Sequence, residues 1–264
     1  MLKLGVIDVL NVLPVYYQLL SNQDEQPFEP VFDTVTELNR KLNQGQIDLS
    51  AVSSFEYALR PELYYVLPDL SVGSDGPVYS IYLFADCPLS ELRDCTILLT
   101  THSLTSVHLI QYLLEGQNVV FSTDPKQPHV ATLLIADQAI RRFYQKKDRY
   151  VFDLGAWWKE KTGLPFVFAL WVVRKVVADQ QPGLVRKVAQ SLLASRDAAF
   201  GLLSDMAQER YSVAFPNPEA CEAYFANLHY QLGPSYLAGF QRFQEEMVKI
   251  GKLNKVCIPE FLPD

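Results

Sequence analysis

A chain of 264 residues, 49% hydrophobic and 20% charged, has ample material for a core, which excludes a disordered protein; its length suits one large domain or two small ones. Its 23 Lys+Arg against 30 Asp+Glu give a net charge of -7 with no block of like charge, so a nucleic-acid partner held by phosphate neutralisation is not expected. The longest uninterrupted apolar run, at 166–173, is too short for a membrane span, which needs about 20 residues.

In chain order, residues 2–9 read as a strand and 14–20 as a helix, because Pro14 costs nothing in a first turn whose N–H groups lack partners. Asp8 and Asn11 interrupt what would be the apolar part of a secretory leader, and no small-residue cleavage site follows. A chain without an export leader, working in the cytoplasm, is therefore expected. A polar, hairpin-like stretch at 21–30 leads to a short strand at 30–32, and a helix at 36–43 is stopped by Gly45. Residues 47–52 form the next strand, and Ser53-Ser54-Phe55-Glu56 has the capping-box form at a helix start that Pro61 ends. Residues 63–67 and 78–84 read as strands on either side of the turn signal at 73–77.

Cys87-Pro88 reads as a crossover, followed by a strand at 96–99. Val107, Ile110, Leu113 and Leu114 then recur at helical spacing up to Gly116. Strands at 130–135 and 150–152 precede helices at 138–144, opened by Asp137, and 156–161, ended by Gly163; 166–173 is a strand buried on both faces. From Gln180 the chain is helical, at 182–203, at 218–232 with Asn217 as cap, and at 234–250. Alternating strands and helices make the class α/β. Two lobes are expected, lobe 1 from 1–86 and 172–264 and lobe 2 from 87–171, with a ligand cleft between them. The four cysteines, Cys87, Cys95, Cys221 and Cys257, have no metal-ligand spacing and read as free thiols of a reducing compartment.

Short polar side chains stand where strands pass into helices: Asn11, Ser53 and Ser54, the run from Thr100 through Ser106, and Asp137. A helix start offers unpaired N–H groups and a partial positive charge, so several of them facing one cleft would hold an anion. The alternative is that each merely caps its own helix. The run at 100–106, with five hydroxyls in seven residues, exceeds what one cap requires. His102 within it is a candidate general base, whereas His108, His129 and His229 read as structural or surface groups. Arg141, Arg142, Lys146, Lys147 and Arg149 read as a solvated helix face, Trp157, Trp158 and Trp171 as core, and Asp8 and Asp153 as caps or turn residues. No metal set and no phosphate-binding or nucleophile-elbow motif is present. The residues alone thus reach a bilobal α/β protein with a cleft suited to a small anion.

Seven segments carry a more specific signal: GVIDVLNVLP (5–14), IDLSAVSSFEYA (47–58), GPVYSIYLF (76–84), LTTHSLTSV (99–107), LIAD (134–137), DLG (153–155) with Trp158, and TGLPFVFA (162–169) with Trp171 and Arg174. In this order they make the chain resemble the chorismate dehydratase family of the futalosine route to menaquinone. The resemblance implies a periplasmic-binding-protein type II-like fold used in the cytoplasm as an enzyme. It also implies a hydro-lyase converting chorismate, a dianion, into 3-[(1-carboxyvinyl)oxy]benzoate and water without cofactor or metal. On that pattern Asn11 and Ser80 match the positions nearest the chemistry. Ser53, Ser54, Ser103, Thr105, Ser106 and Asp137 match positions that hold the substrate. Val9 stands where the family often has tyrosine, and His102 where a small or acidic residue is expected. Two alternatives are 1,4-dihydroxy-6-naphthoate synthase of the same route and a non-catalytic binding protein for a small organic anion. The former typically begins with a Ser-Pro-Cys-Pro-Asn-Asp-Thr-like motif and uses a histidine, unlike the segment at 8–14 here.

Overall fold

The computed structural model describes residues 1–21 and 27–263, so the hairpin-like stretch read at 21–30 lies largely outside the described residues. The chain opens with β1 (Leu2–Val6), a 3-10 turn (Leu10–Val12) and α1 (Leu13–Ser21). There follow β2 (Phe28–Phe32), α2 (Val35–Asn43), β3 (Leu49–Ser53), α3 (Ser54–Leu59) and β4 (Tyr64–Ser74). It continues through β5 (Ile81–Ala85), β6 (Thr96–Leu98), α4 (Leu104–Leu113), β7 (Val120–Ser122), β8 (Ala131–Ile135), α5 (Ala136–Gln145), β9 (Tyr150–Asp153) and α6 (Leu154–Thr162). After β10 (Phe166–Arg174) come α7 (Lys175–Gln180), α8 (Pro182–Ala199), α9 (Leu203–Arg210), α10 (Pro218–Asn227) and α11 (Pro234–Lys249).

Among the described residues the strands form two five-stranded mixed sheets, ordered β2-β1-β3-β10-β4 and β7-β6-β8-β5-β9. In the first, β1 is parallel to β2 and β3, while β10 runs antiparallel between β3 and β4. Strands that bury both faces need helices on both sides. On one side α1 packs on α8, whose Val185, Val188, Ala189 and Leu192 are buried at i, i+3, i+4 and i+7. Trp158 and Trp171 are wholly buried; the Trp171 indole N–H donates to the Tyr16 hydroxyl at 2.9 Å.

Several boundaries differ from the sequence reading. Strand β4 does not stop at Leu67: Pro68 and Asp69 are taken up as an irregularity in its pairing with β10, Asp69 having a φ of 54°, and the strand resumes to Ser74. The lobe boundaries at 86/87 and 171/172 also shift. The sheets change over between Ser74 and Ile81 and again between Asp153 and Phe166, because β5 pairs with β8 and β9 while all of β10 belongs to the first sheet. The turn signal at 73–77 is therefore the crossing between lobes, and Cys87-Pro88 lies inside the second. In the C-terminal part the helix read at 182–203 breaks after Ala199, and the one at 218–232 ends at Asn227, so that His229 can bridge to Gly73 on β4.

Candidate functional site

Between the sheets lies an open cleft of about 1290 Å³, walled by residues of both lobes. Several helix starts reach it. Asn11 sits in the 3-10 turn before α1, and Thr34, Ser53 and Ser103 cap α2, α3 and α4. Ala136 and Asp137 begin α5, which starts beside the turn carrying Asn11. The capping hydroxyls are already acceptors: Thr34 takes Glu37 N–H at 3.4 Å, Ser53 takes Glu56 N–H at 3.3 Å and Ser103 takes Ser106 N–H at 3.2 Å. Each remains able to donate its own proton to an anion. The reciprocal half of the capping box at Ser53 is not made, since the Glu56 carboxylate pairs with Arg60 at 2.8 Å. Within the cleft wall, Asn11 Oδ1, Asn39 Oδ1 and Asp137 Oδ1 are buried with no hydrogen-bond partner. Unpaired buried polar atoms are costly in a fold, and converging on one cavity they mark where a ligand's polar groups belong.

Of the residues singled out in the sequence, Asn11, Ser53, Ser80, Ser103, Thr105, Ser106 and Asp137 line the cleft. Ser54 does not. It is fully buried behind the wall, its hydroxyl 3.4 Å from Thr105 Oγ1, because the residue after the cap turns toward the neighbouring helix α4. Thr105 is itself committed, accepting Phe55 N–H at 2.9 Å, and so joins the starts of α3 and α4 across the two lobes. Replacing Thr105 with valine keeps the shape but leaves that N–H unpaired. The expected loss is about 1–3 kcal/mol of stability, read as a lowered urea midpoint with an unchanged slope.

Ser80 follows Tyr79, a non-glycine residue at φ 58°, and its carbonyl accepts the N–H of Ala136, another at φ 50°. Two strained residues beside one cleft are typical of a functional site. Burial raises the pKa of Asp137 above its ordinary 3.8, opposed by Arg141 and Arg210 and reinforced by Asp8. Well below pH 3.8 the carboxyl is neutral in both folded and unfolded chains and costs the fold nothing; once pH has risen past the folded-state value the full penalty applies. Asp137→Asn is therefore expected to be more stable than the parent near pH 7, with the advantage shrinking as pH falls toward 3.8 in urea titrations.

His102 lines the cleft and is exposed. His108 lies off the cleft, its ring tilted at 39° to that of Phe55 with centroids 3.9 Å apart, and burial lowers its pKa. None of the three tryptophans lines the cleft. Asp8 is exposed and paired with Arg210 at 2.6 Å, while Asp153 caps α6 through Ala156 N–H at 3.0 Å. The sequence reading passed over Thr34, the cap of α2, and Asn39 on that helix, and it read Arg141 as part of a solvated helix face, whereas Arg141 lines the cleft. Thr34-x-x-Glu37 has the same cap pattern as Ser53-x-x-Glu56, so that helix start could have been found. Arg141 had no such signal: its neighbour Arg142 turns away, to Asp148 at 2.7 Å and over the Phe84 ring.

Two sheets joined by two crossings, with helix starts facing the cleft, make a periplasmic-binding-protein fold. The structure aligns with the alkanesulfonate-binding protein of Xanthomonas axonopodis pv. citri at a TM-score of 0.70 and 15% identity, covering 98% of this chain and 96% of that one. Residues 2–249 match the menaquinone biosynthesis family, and the chain belongs to it. It is 29% identical over 266 residues to the chorismate dehydratase of Thermus thermophilus, covering 92% of this chain and 94% of that protein. It is also 28% identical over 236 residues to the 1,4-dihydroxy-6-naphthoate synthase of the same organism, covering 86% of this chain and 84% of that protein.

Proposed function

We propose that this menaquinone-pathway protein is a chorismate dehydratase, releasing 3-[(1-carboxyvinyl)oxy]benzoate and water. The observation that carries the reading is the line from Asn11 through the first turn of α5 to Ser80. Asn11 presents a buried, unpaired side-chain oxygen, α5 begins beside it, and the N–H of Ala136 in that turn is bonded to the Ser80 carbonyl at 2.7 Å. The unpaired Asn11 oxygen suits the substrate's hydroxyl as a donor, while the Asn11 N–H₂ group and the Ser80 hydroxyl, with helix starts around them, can donate to the carboxylates of a dianion. The segment at 8–14 supports the dehydratase over its sister enzyme, whose characteristic Ser-Pro-Cys-Pro-Asn-Asp-Thr-like start is lacking here.

The reaction removes a hydrogen from the ring carbon bearing the enolpyruvyl ether and the hydroxyl from the next carbon. It is redox-neutral, and the aromatic product supplies the driving force. The protein has to hold both carboxylates and assist the departing hydroxyl, the work assigned to Asn11 and Ser80 as preorganised polar groups. Neither side chain is a base at neutral pH, so the substrate's own enolpyruvyl carboxylate takes the ring proton, which is then passed to the departing hydroxyl so that it leaves as water. Lobes that hold it in near-attack geometry make that intramolecular step efficient.

Incubating EDTA-treated protein with chorismate and following products by chromatography with mass detection tests this. A stoichiometric product lighter by one water is expected; chorismate surviving beyond its spontaneous decay overturns the reading. One observation, His102 on the cleft wall, favours the histidine-using naphthoate synthase. The same sample given cyclic dehypoxanthine futalosine decides between them, and failure with both leaves an anion-binding protein.

A further inference from the structure

The backbone segment that carries Ser80 is held from behind by one carboxylate. Residues 75–80 make the first crossing between the sheets, and Asp153 closes β9 where the second crossing begins. Its two oxygens accept Val78 N–H at 3.0 and 3.1 Å, and Oδ2 accepts Tyr79 N–H at 2.8 Å. Tyr79 N–H belongs to the same peptide group as the Val78 carbonyl, which accepts the Ser80 hydroxyl at 3.4 Å. One peptide unit thus stands between Asp153 and Ser80. Tyr79 holds a left-handed φ of 58°, which a bulky residue keeps only where its surroundings over-determine it. The close approach also requires Gly155, since a Cβ there would stand 2.5 Å from the Gly76 carbonyl oxygen.

We propose that Asp153 is a positioning residue, which fixes the strained Val78–Tyr79 peptide so that Ser80 keeps its place in the cleft. The inference rests on the role given to Ser80 above. Capping α6 needs a single acceptor, and serine supplies one, so Asp153→Ser retains the cap while giving up the bonds to Val78 and Tyr79.

The test compares Asp153→Ser, Asp153→Asn and Ser80→Ala, singly and with Ser80→Ala combined with each Asp153 change, in steady-state turnover of chorismate. Asp153→Ser is expected to lower kcat by about 100-fold, the effect of a misplacement of about 1 Å. KM should stay within about twofold, because the interaction matters in the transition state. A residue acting through Ser80 makes the double variant no slower than Ser80→Ala alone, whereas an independent structural role makes the losses multiply. Multiplying losses, or an unchanged kcat in folded Asp153→Ser, overturn the proposal. Asp153→Asn, which points an amide N–H₂ at the same donors, serves for the same comparison if the serine variant does not fold. Amide exchange at Val78 and Tyr79 needs no substrate: it should quicken in the Asp153 variants, and unchanged exchange rules the clamp out. If the parent leaves chorismate intact while the Asp153 variants show the faster exchange, the dehydratase reading is overturned and the clamp is not.

Discussion

Asn11→Asp is expected to lower chorismate turnover by about 10²–10³-fold, the usual cost of losing one well-placed donor to developing charge. The amide at this position can donate through its N–H₂ group, whereas a carboxylate can only accept. The new charge would face a dianion and stand beside the first turn of α5, where Asp137 already has its pKa raised by burial. Both effects oppose binding and chemistry, so KM rises as kcat falls. Steady-state kinetics with product detection by chromatography reads this directly, and near-parental activity would remove Asn11 from the mechanism. The companion variant His102→Ala should keep most activity. If it abolishes turnover while chorismate still binds, the base is His102 and not the substrate carboxylate.

Trp171→Ala carries the largest expected cost to stability, about 3–5 kcal/mol against a total of about 5–15 for a typical fold. Trp171 is completely buried in β10, the strand that joins the edge strand β4 to the rest of the first sheet, and its ring lies 5.9 Å from that of Tyr16. Truncation opens a cavity and removes the donor to the Tyr16 hydroxyl, whose pKa is already raised by complete burial. Trp171→Phe keeps most of the ring volume and should cost clearly less. Equilibrium urea unfolding of both variants separates packing from hydrogen bonding. A loss below about 1 kcal/mol for the alanine variant would mean that the site collapses around the void.

Much of the architecture could be read from local chemistry. The caps at Ser53 and Asn217 were legible because a short polar side chain bonding the N–H three residues on is a local event. The apolar run at 166–173 announced a strand buried on both faces for the same reason. What was not legible depends on partners distant in sequence. A turn at 73–77 looks the same whether the chain reverses within a sheet or leaves it. Only the pairing of Ile81 with Ile135 decides the matter. The strand β7 is three residues long and takes its identity from Thr96, Ile97 and Leu98 beside it. At the site, adjacent residues part company by helical phase: Ser53 faces the cleft while Ser54 faces Thr105, and Arg141 faces the cleft while Arg142 faces Asp148. Composition and spacing do not supply that phase; packing does.

The position of β10 between β3 and β4 also sets an order of events during synthesis. All five strands of the second sheet lie between Ile81 and Asp153, so that sheet is complete in the nascent chain before Phe166 is made. The first sheet, although its first four strands are translated earlier, lacks the strand between β3 and the edge strand β4 until β10 emerges. The later-made lobe can close first, and the earlier-made one waits with two strand edges open. That interval exposes β3 and β4 to wrong partners, and makes it the stage at which a chaperone would be of most use to this chain.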